Sequence, residues 1–265
     1  MKSHRGFDFS GSRPGLVKRR IYKRLVATNC SDIYQYVDYL KHNDSEFDYL
    51  LDALTINVSR FFREPFTFEY IGHKILPAMA YEKTYMQNHA LRVWSAGCAA
   101  GEEPYSIAML IHELIESEKL NLSINIFATD IDGRALKRAQ NGIYDFDSVQ
   151  NIRYGLLKKY FTLKHEKYII VPKIKNMVTF SFYDMVDKKG FAPPESIFGN
   201  FDIVLCMNLL IYFGQQYKNR IIEKLYRSLA VGGFLVLGNA EKLPELYKRF
   251  FVRTSDCGSI YRKKI

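Results

Sequence analysis

Apolar positions recur at helical spacing up to about residue 75 and in strand-like blocks beyond residue 90. Leu16, Ile21, Leu25 and Val26 stand on one helical period with basic residues between them. Ser31-Asp32 can cap a second helix that carries Ile33, Tyr36, Val37 and Leu40. Phe47, Leu50, Leu51, Leu54 and Ile56 form a third stripe. Arg63-Glu64-Pro65 marks a break, because proline disfavours helix in the residue before it and suits a first helical turn. A further helix is predicted over 66–79, ending near Pro77. Residues 80–90 are polar and weakly patterned, so the division predicted is a helical domain over 1–79, a linker over 80–90 and a second domain over 91–265.

From Leu91 strand and helix alternate, the signature of a parallel sheet with crossover helices. Strands are predicted at 91–94, 124–128, 201–208 and 234–237, with helices at 102–114, 135–140 and 215–230. Short strands at 168–171 and 177–182, and another at 161–163, suggest an inserted antiparallel β-subdomain at about 161–182. The tail reads as a closing hairpin, 250–252 against 259–262.

The turn between the first strand and its helix carries the candidate chemistry. Residues 94–104 read Trp-Ser-Ala-Gly-Cys-Ala-Ala-Gly-Glu-Glu-Pro. Strand, small-residue turn and helix is how open α/β sheets bring backbone close to a nucleotide-like ligand, and a Cβ at the glycines would hold that ligand off. The spacing Gly97-x-x-x-Gly101 is not the dinucleotide G-x-G-x-x-G, and no lysine follows the glycines as in a phosphate cradle. Glu102 and Glu103 at the helix start would repel phosphate and suit a cationic, hydroxyl-rich ligand. S-adenosylmethionine, with an ammonium, a sulfonium and a ribose diol, fits that description; a capped helix after a tight turn is the plain structural alternative. Asp130, at the end of the second strand, suits a ribose diol or an N-cap.

The 265 residues carry a net charge of +10, which admits acidic partners of several kinds. The basic clusters, Lys18 to Arg24 and Arg262 to Lys264, lack the aromatic and glycine pattern of an RNA-recognition module. Cys30, Cys98, Cys206 and Cys257 are scattered, without metal-like pairing or a dense disulfide pattern. No signal-peptide core and no membrane-length apolar run is present. A cytoplasmic protein without a metal site or membrane insertion is expected, with monomer as the default.

Five separated stretches, in order, are similar to the CheR family of chemotaxis receptor methyltransferases. They are the runs beginning at Leu54 (Leu-Thr-Ile-Asn-Val-Ser-Arg-Phe-Phe-Arg-Glu), Arg92 (Arg-Val-Trp-Ser-Ala-Gly-Cys), Gly101 (Gly-Glu-Glu-Pro-Tyr-Ser-Ile-Ala), Ala128 (Ala-Thr-Asp-Ile-Asp) and Asn208 (Asn-Leu-Leu-Ile-Tyr-Phe). The resemblance implies an α/β fold: an all-helical N-terminal domain, then a class I S-adenosylmethionine-dependent methyltransferase domain, Rossmann-like, with a mixed sheet and a small antiparallel β-subdomain. It implies methyl transfer to receptor glutamates, leaving S-adenosylhomocysteine. Asn57, Ser59, Arg63, Gly97, Glu103, Asp130, Asp184, Met185, Met207 and Asn208 would line the cofactor. Arg63 would hold the incoming carboxylate and Tyr212 orient it. Arg20, Lys23 and Arg24, on adjacent turns of one helix side, would dock the acidic cytoplasmic helices of methyl-accepting receptors.

Relatives commonly carry Arg where this chain has Met207, His-Ser-Glu at Asn239-Ala240-Glu241, Thr at Ala100 and Asn at Asp184. The connection between Thr162 and Tyr168 is short, so tethering to a receptor's C-terminal peptide is not expected. A nucleic-acid methyltransferase and a non-catalytic S-adenosylmethionine-binding signalling module are the two rivals. The first lacks the usual Asn/Asp-Pro-Pro-Tyr/Phe, since Leu209-Leu210 replaces the prolines, and no nucleic-acid partner is expected.

Overall fold

The computed structural model describes residues 12–54, 59–86, 89–187, 190–197 and 199–264. Asn57 therefore lies outside the described residues. By internal contacts the chain forms two units, 1–58 with 212–217, and 59–211 with 218–265.

In the first unit, helices α1 (Pro14–Ala27), α2 (Ile33–His42) and α3 (Asp44–Leu54) close their apolar stripes on Leu25, Tyr36, Leu40, Phe47, Leu50 and Leu54. Pro14 opens α1 where its missing N–H costs nothing. Asp32 caps α2, accepting from the Gln35 N–H at 2.9 Å.

A charged cluster is folded into this unit. Arg24 donates from Nε and Nη2 to the two oxygens of Glu46, at 2.8 and 2.7 Å, and the Tyr36 hydroxyl donates to Oε1 at 2.7 Å. Glu46 is 4% exposed, so a buried carboxylate draws Arg24 inward. Of the three basic residues on this helix side, Lys23 is exposed, while Arg20 and Arg24 are half-buried. Glu46→Ala is expected to cost about 2–3 kcal/mol, read by urea unfolding. That is below the range for a fully buried pair because Arg24 keeps some contact with solvent.

The second unit begins with α4 (Pro65–Tyr70), a π-helical turn over Ile71–Ile75 and α5 (Leu76–Tyr85). Helix thus continues past Pro77 and through most of the predicted linker. Proline cannot donate to the carbonyl four residues back. A π turn, in which Leu76 N–H reaches the Ile71 carbonyl, absorbs the defect. Phe61, Phe68, Ile71, Ile75, Leu76 and Met79 belong to the same apolar cluster as the sheet. The boundary accordingly lies near residue 58, not at 79.

Then follow β1 (Ala90–Ala96), α6 (Glu102–Glu118), β2 (Ser123–Asp130), α7 (Gly133–Asn141), β3 (Ile143–Tyr144), α8 (Tyr154–Tyr160), β4 (Phe161–Lys164), β5 (Lys167–Ile170), β6 (Val178–Phe182) and β7 (Phe201–Cys206). The chain closes with α9 (Gln215–Ser228), β8 (Leu229–Leu237), β9 (Phe251–Arg253) and β10 (Ser259–Lys263). The main sheet runs β6-β2-β1-β7-β8-β10-β9; the first five strands are parallel, and the last two form the antiparallel hairpin expected from the tail. Every residue of β7 is buried, as suits a central parallel strand covered on both faces.

The smaller sheet is β3-β5-β4, antiparallel. Residues 178–182 do not belong to it; they pair in parallel with β2, Ile126 facing Val178 through Asp130 facing Phe182. A short apolar strand carries no mark of which sheet it will join, whereas its register here extends the main core. β4 and β5 are joined by His165 and Glu166, both with positive φ (47° and 61°), a two-residue turn whose twist matches an antiparallel hairpin.

Candidate functional site

The turn after β1 is fastened to the end of β2. Gly97 and Cys98 donate their N–H groups to the Thr129 carbonyl at 2.8 and 3.0 Å, and Ala99 donates to Asp130 Oδ2 at 2.8 Å. Gly97, Ala99 and Gly101 all have positive φ, at 80°, 48° and 93°. The glycines are required by this backbone and by packing. A Cβ on Gly97 would sit 3.1 Å from Leu209 Cδ1, and one on Gly101 would sit 2.9 Å from Ala139 Cβ. Protein, rather than open space for a ligand, fills the place their side chains would take.

The two acids behave differently. Glu102 is 3% exposed, accepts from the Ser59 hydroxyl and leaves Oε2 without a partner among the described residues. Burial pushes it up to about 7. Glu103 accepts from Ser95 Oγ at 2.6 Å. Burial raises it to about 8; the Ser95 bond opposes this, Glu241 and Glu64 add to it, and Arg63 opposes it.

Asp130 is buried and takes the N–H groups of Ala99 on Oδ2 and Asp132 on Oδ1, at 2.8 and 2.9 Å. It is not the cap of α7: Asp132 is, accepting from Arg134 and Ala135. Burial raises Asp130 against those two backbone bonds. A third backbone N–H, that of Ile131, also reaches this carboxylate at the end of β2.

At the end of β7, Met207 is buried and Asn208 holds a left-handed backbone, φ 60°. Glu241 supports this turn. Its Oε2 accepts from Asn208 N and Gly238 N, both at 2.8 Å, and its Oε1 accepts from Ile211 N at 3.1 Å. Glu64 meets the turn too, accepting from Asn208 Nδ2 at 3.2 Å and from Asn239 N at 3.0 and 3.1 Å. After β6, Asp184 Oδ1 accepts from Val186 N at 2.7 Å, and Met185 is buried.

The carboxyl edge of β6, β2, β1 and β7 thus carries Gly97, Glu103, Asp130, Asp184, Met185, Met207 and Asn208, and Arg63 lies near enough to Glu103 to act on its charge. Tyr212 ends a 3-10 turn, Leu210–Tyr212, and groups by contact with the first unit, as do Arg20, Lys23 and Arg24. Ser95, Glu64 and Glu241 were not singled out as site residues by the sequence, whereas Glu102 was read with Glu103 as an acid at the helix start. Glu64 is the last residue of the Phe-Phe-Arg-Glu run, and only that adjacency to Arg63 could have drawn attention to it. No metal ligand was expected. His112, Glu113 and Glu116 on α6 do bring donor atoms within 4.8 Å of one another, but Lys159 bridges both glutamates as their resident cation.

The donor set fits S-adenosylmethionine. Glu64 and Glu241 both lie near enough to Glu103 to act on its charge, and this gathering of carboxylates favours a cation and disfavours a pyrophosphate. Glu103 would hold the ammonium and Asp130 the ribose hydroxyls.

Comparison with known proteins agrees. Residues 57–258 match the family model for the CheR methyltransferase SAM binding domain, and residues 1–55 match that for the CheR methyltransferase all-alpha domain. The chain is 31% identical over 241 residues to a chemotaxis protein methyltransferase of Borreliella burgdorferi, covering 90% of this chain and 83% of that one. It is 31% identical over 252 residues to chemotaxis protein methyltransferase 2 of Vibrio cholerae, covering 94% and 84%. Against the chemotaxis protein methyltransferase of Escherichia coli the identity is 30% over 254 residues, covering 94% and 83%.

Proposed function

We propose that this chain, which belongs to the CheR methyltransferase family, methylates glutamate side chains on the cytoplasmic helices of methyl-accepting chemoreceptors. It is an S-adenosylmethionine-dependent methyltransferase of chemotaxis; the glutamate acceptor is our reading. The observation that carries it is the carboxyl of Glu103, raised by burial and by the charges of Glu241 and Glu64, at the edge of a parallel sheet, which suits a cationic methyl donor.

When bound, S-adenosylmethionine supplies a methyl group already activated on sulfonium. The chain's own task is then alignment and exclusion of water. A glutamate acceptor is ionised at neutral pH and needs no general base. Arg63 is assigned to hold the acceptor carboxylate and Tyr212 to orient it by hydrogen bond. Arg63 must not stabilise the ground-state carboxylate more than the transition state. Of the three basic residues assigned to receptor docking, Arg20 and Lys23 are left for it once Arg24 is paired with Glu46.

We further propose a cytoplasmic monomer, in keeping with four free cysteines and with the absence, among the described residues, of a helix long and apolar enough to cross a membrane. The two-residue turn at His165-Glu166 supports the absence of tail-peptide tethering.

Incubation with labelled S-adenosylmethionine, receptor cytoplasmic fragments and nucleic acid tests the acceptor. Base-labile label on receptor is expected; label on nucleic acid, or binding without transfer, overturns it. Arg63→Ala should lower kcat/KM on the order of 10²–10³-fold, since it removes a charge aimed at the reacting group. An unchanged kcat/KM would remove Arg63 from the chemistry.

A further inference from the structure

Asn208 is held at both ends by carboxylates. Its backbone N–H donates to Glu241 Oε2 at 2.8 Å, and its side-chain Nδ2 donates to Glu64 Oε1 at 3.2 Å. An ionised carboxylate has no proton to give, so only the NH₂ end of an amide can face it. The alternative amide orientation would set Asn208 Oδ1 against Glu64 Oε1, two acceptors at hydrogen-bond distance.

Glu64 is itself fixed, because Asn239 N reaches both of its oxygens at 3.0 and 3.1 Å. Gly238 closes the remaining side: a Cβ there would stand 2.8 Å from Asn208 N and 3.0 Å from Nδ2. The left-handed backbone at Asn208, φ 60°, is one that asparagine tolerates better than most residues. Glu64 therefore selects the amide orientation, and the backbone and Gly238 allow the side chain to sit there.

We infer that Glu64 is a positioning residue which fixes the side-chain amide of Asn208 so that Oδ1, an acceptor, is the atom presented to a donor group of the bound cofactor. The inference rests on the reading of this crevice as the S-adenosylmethionine site. It also gives Arg63-Glu64 a division of labour: the arginine serves the acceptor carboxylate, and the glutamate serves the cofactor through Asn208. The sequence departure at Asn239 is tolerated on this account, since Glu64 takes the backbone N–H there and any residue but proline supplies one.

The test is a double-mutant cycle read by calorimetry with S-adenosylhomocysteine. Asn208→Asp alone sets two carboxylates against each other and should weaken binding by at least roughly tenfold. Glu64→Gln in that background supplies an NH₂ to face one oxygen of the introduced carboxylate, leaves the other oxygen turned toward the ligand, and should recover most of the loss. Glu64→Gln alone, free to present either end, should weaken binding by roughly three- to tenfold.

Should Asn208→Asp fail to fold, the Asn208 side-chain amide resonances in ¹⁵N-labelled protein provide the readout. With Glu64 in place they should be shifted and protected, and Glu64→Gln should move them toward solvent-like values. A second substitution that recovers nothing, or amide resonances indifferent to Glu64, overturns the inference while wild-type binding leaves the site reading intact. If wild-type protein does not bind S-adenosylhomocysteine, both readings fall.

Discussion

Glu241→Ala is expected to lose about 4 kcal/mol of stability and roughly 10 °C in Tm. The side chain is 3% exposed and accepts from Gly238, Asn208 and Ile211, with Leu210 adding a further backbone bond. Burial still raises its pKa against all of these bonds, so the intact clamp contributes only modestly in net terms. Removal is another matter, because it strands backbone N–H groups of a largely buried turn, at about 1–3 kcal/mol each. Glu241→Gln keeps the shape but turns an NH₂ toward donors, and should fall between, near about 2 kcal/mol. Urea and thermal unfolding of both variants check this. A Glu241→Ala protein within about 1 kcal/mol of wild type would mean that the turn holds itself. Because the clamped turn carries Asn208 and leads into Tyr212, surviving activity should fall with stability.

The clamp also explains a sequence departure. Of Asn239, Ala240 and Glu241, where the family resemblance implies His-Ser-Glu, the glutamate is the residue whose side chain bonds the turn. Nothing in the chain's periodicity could have revealed this. Glu241 and Asn208 are 33 positions apart, and Glu64 and Asn239 are 175 apart. A side chain that bonds backbone at such a distance leaves no repeating trace in the sequence. The strand-turn-helix at 91–104 was legible for the opposite reason: its signals are local, small residues at the turn, acids at the helix start and an apolar period on either side. The same locality misled elsewhere. Pro77 signals a helix end to a local reading, and the π turn that rescues the helix is favoured by packing of Ile71 and Ile75 in the core. Arg24 looks like its neighbours until Glu46, from another helix, reaches it. The glycines have a packing reason that no local reading supplies, since the atoms a Cβ on Gly97 would meet belong to Leu209.

Cofactor binding should release most of a proton at pH 7, and the proton should come from Glu103. Burial, reinforced by Glu241 and Glu64, raises its carboxyl to about 8 in the free protein, so it is largely protonated at neutrality. The ammonium of S-adenosylmethionine or S-adenosylhomocysteine is best paired with the ionised form, so binding expels the proton. Apparent affinity should therefore rise with pH between about 6 and 7.5.

The same shift sets the sign for stability without cofactor. A carboxyl whose folded pKa lies above its unfolded value near 4.5 contributes stability below that value and loses it as pH rises toward 8; Glu102, raised to about 7, acts in the same direction. His112, lowered by burial from 6.5, opposes them at lower pH, so pH 7–8 is the clearest window. There the protein should destabilise with rising pH, and added S-adenosylhomocysteine should flatten the slope. Glu103→Gln removes the titrating group and should weaken cofactor binding by roughly 30- to 100-fold, the loss of one buried charge partner. Calorimetry in buffers of different ionisation enthalpy should then record almost no proton release. Release that persists in Glu103→Gln would place the proton on another group at this edge and separate Glu103 from the ammonium.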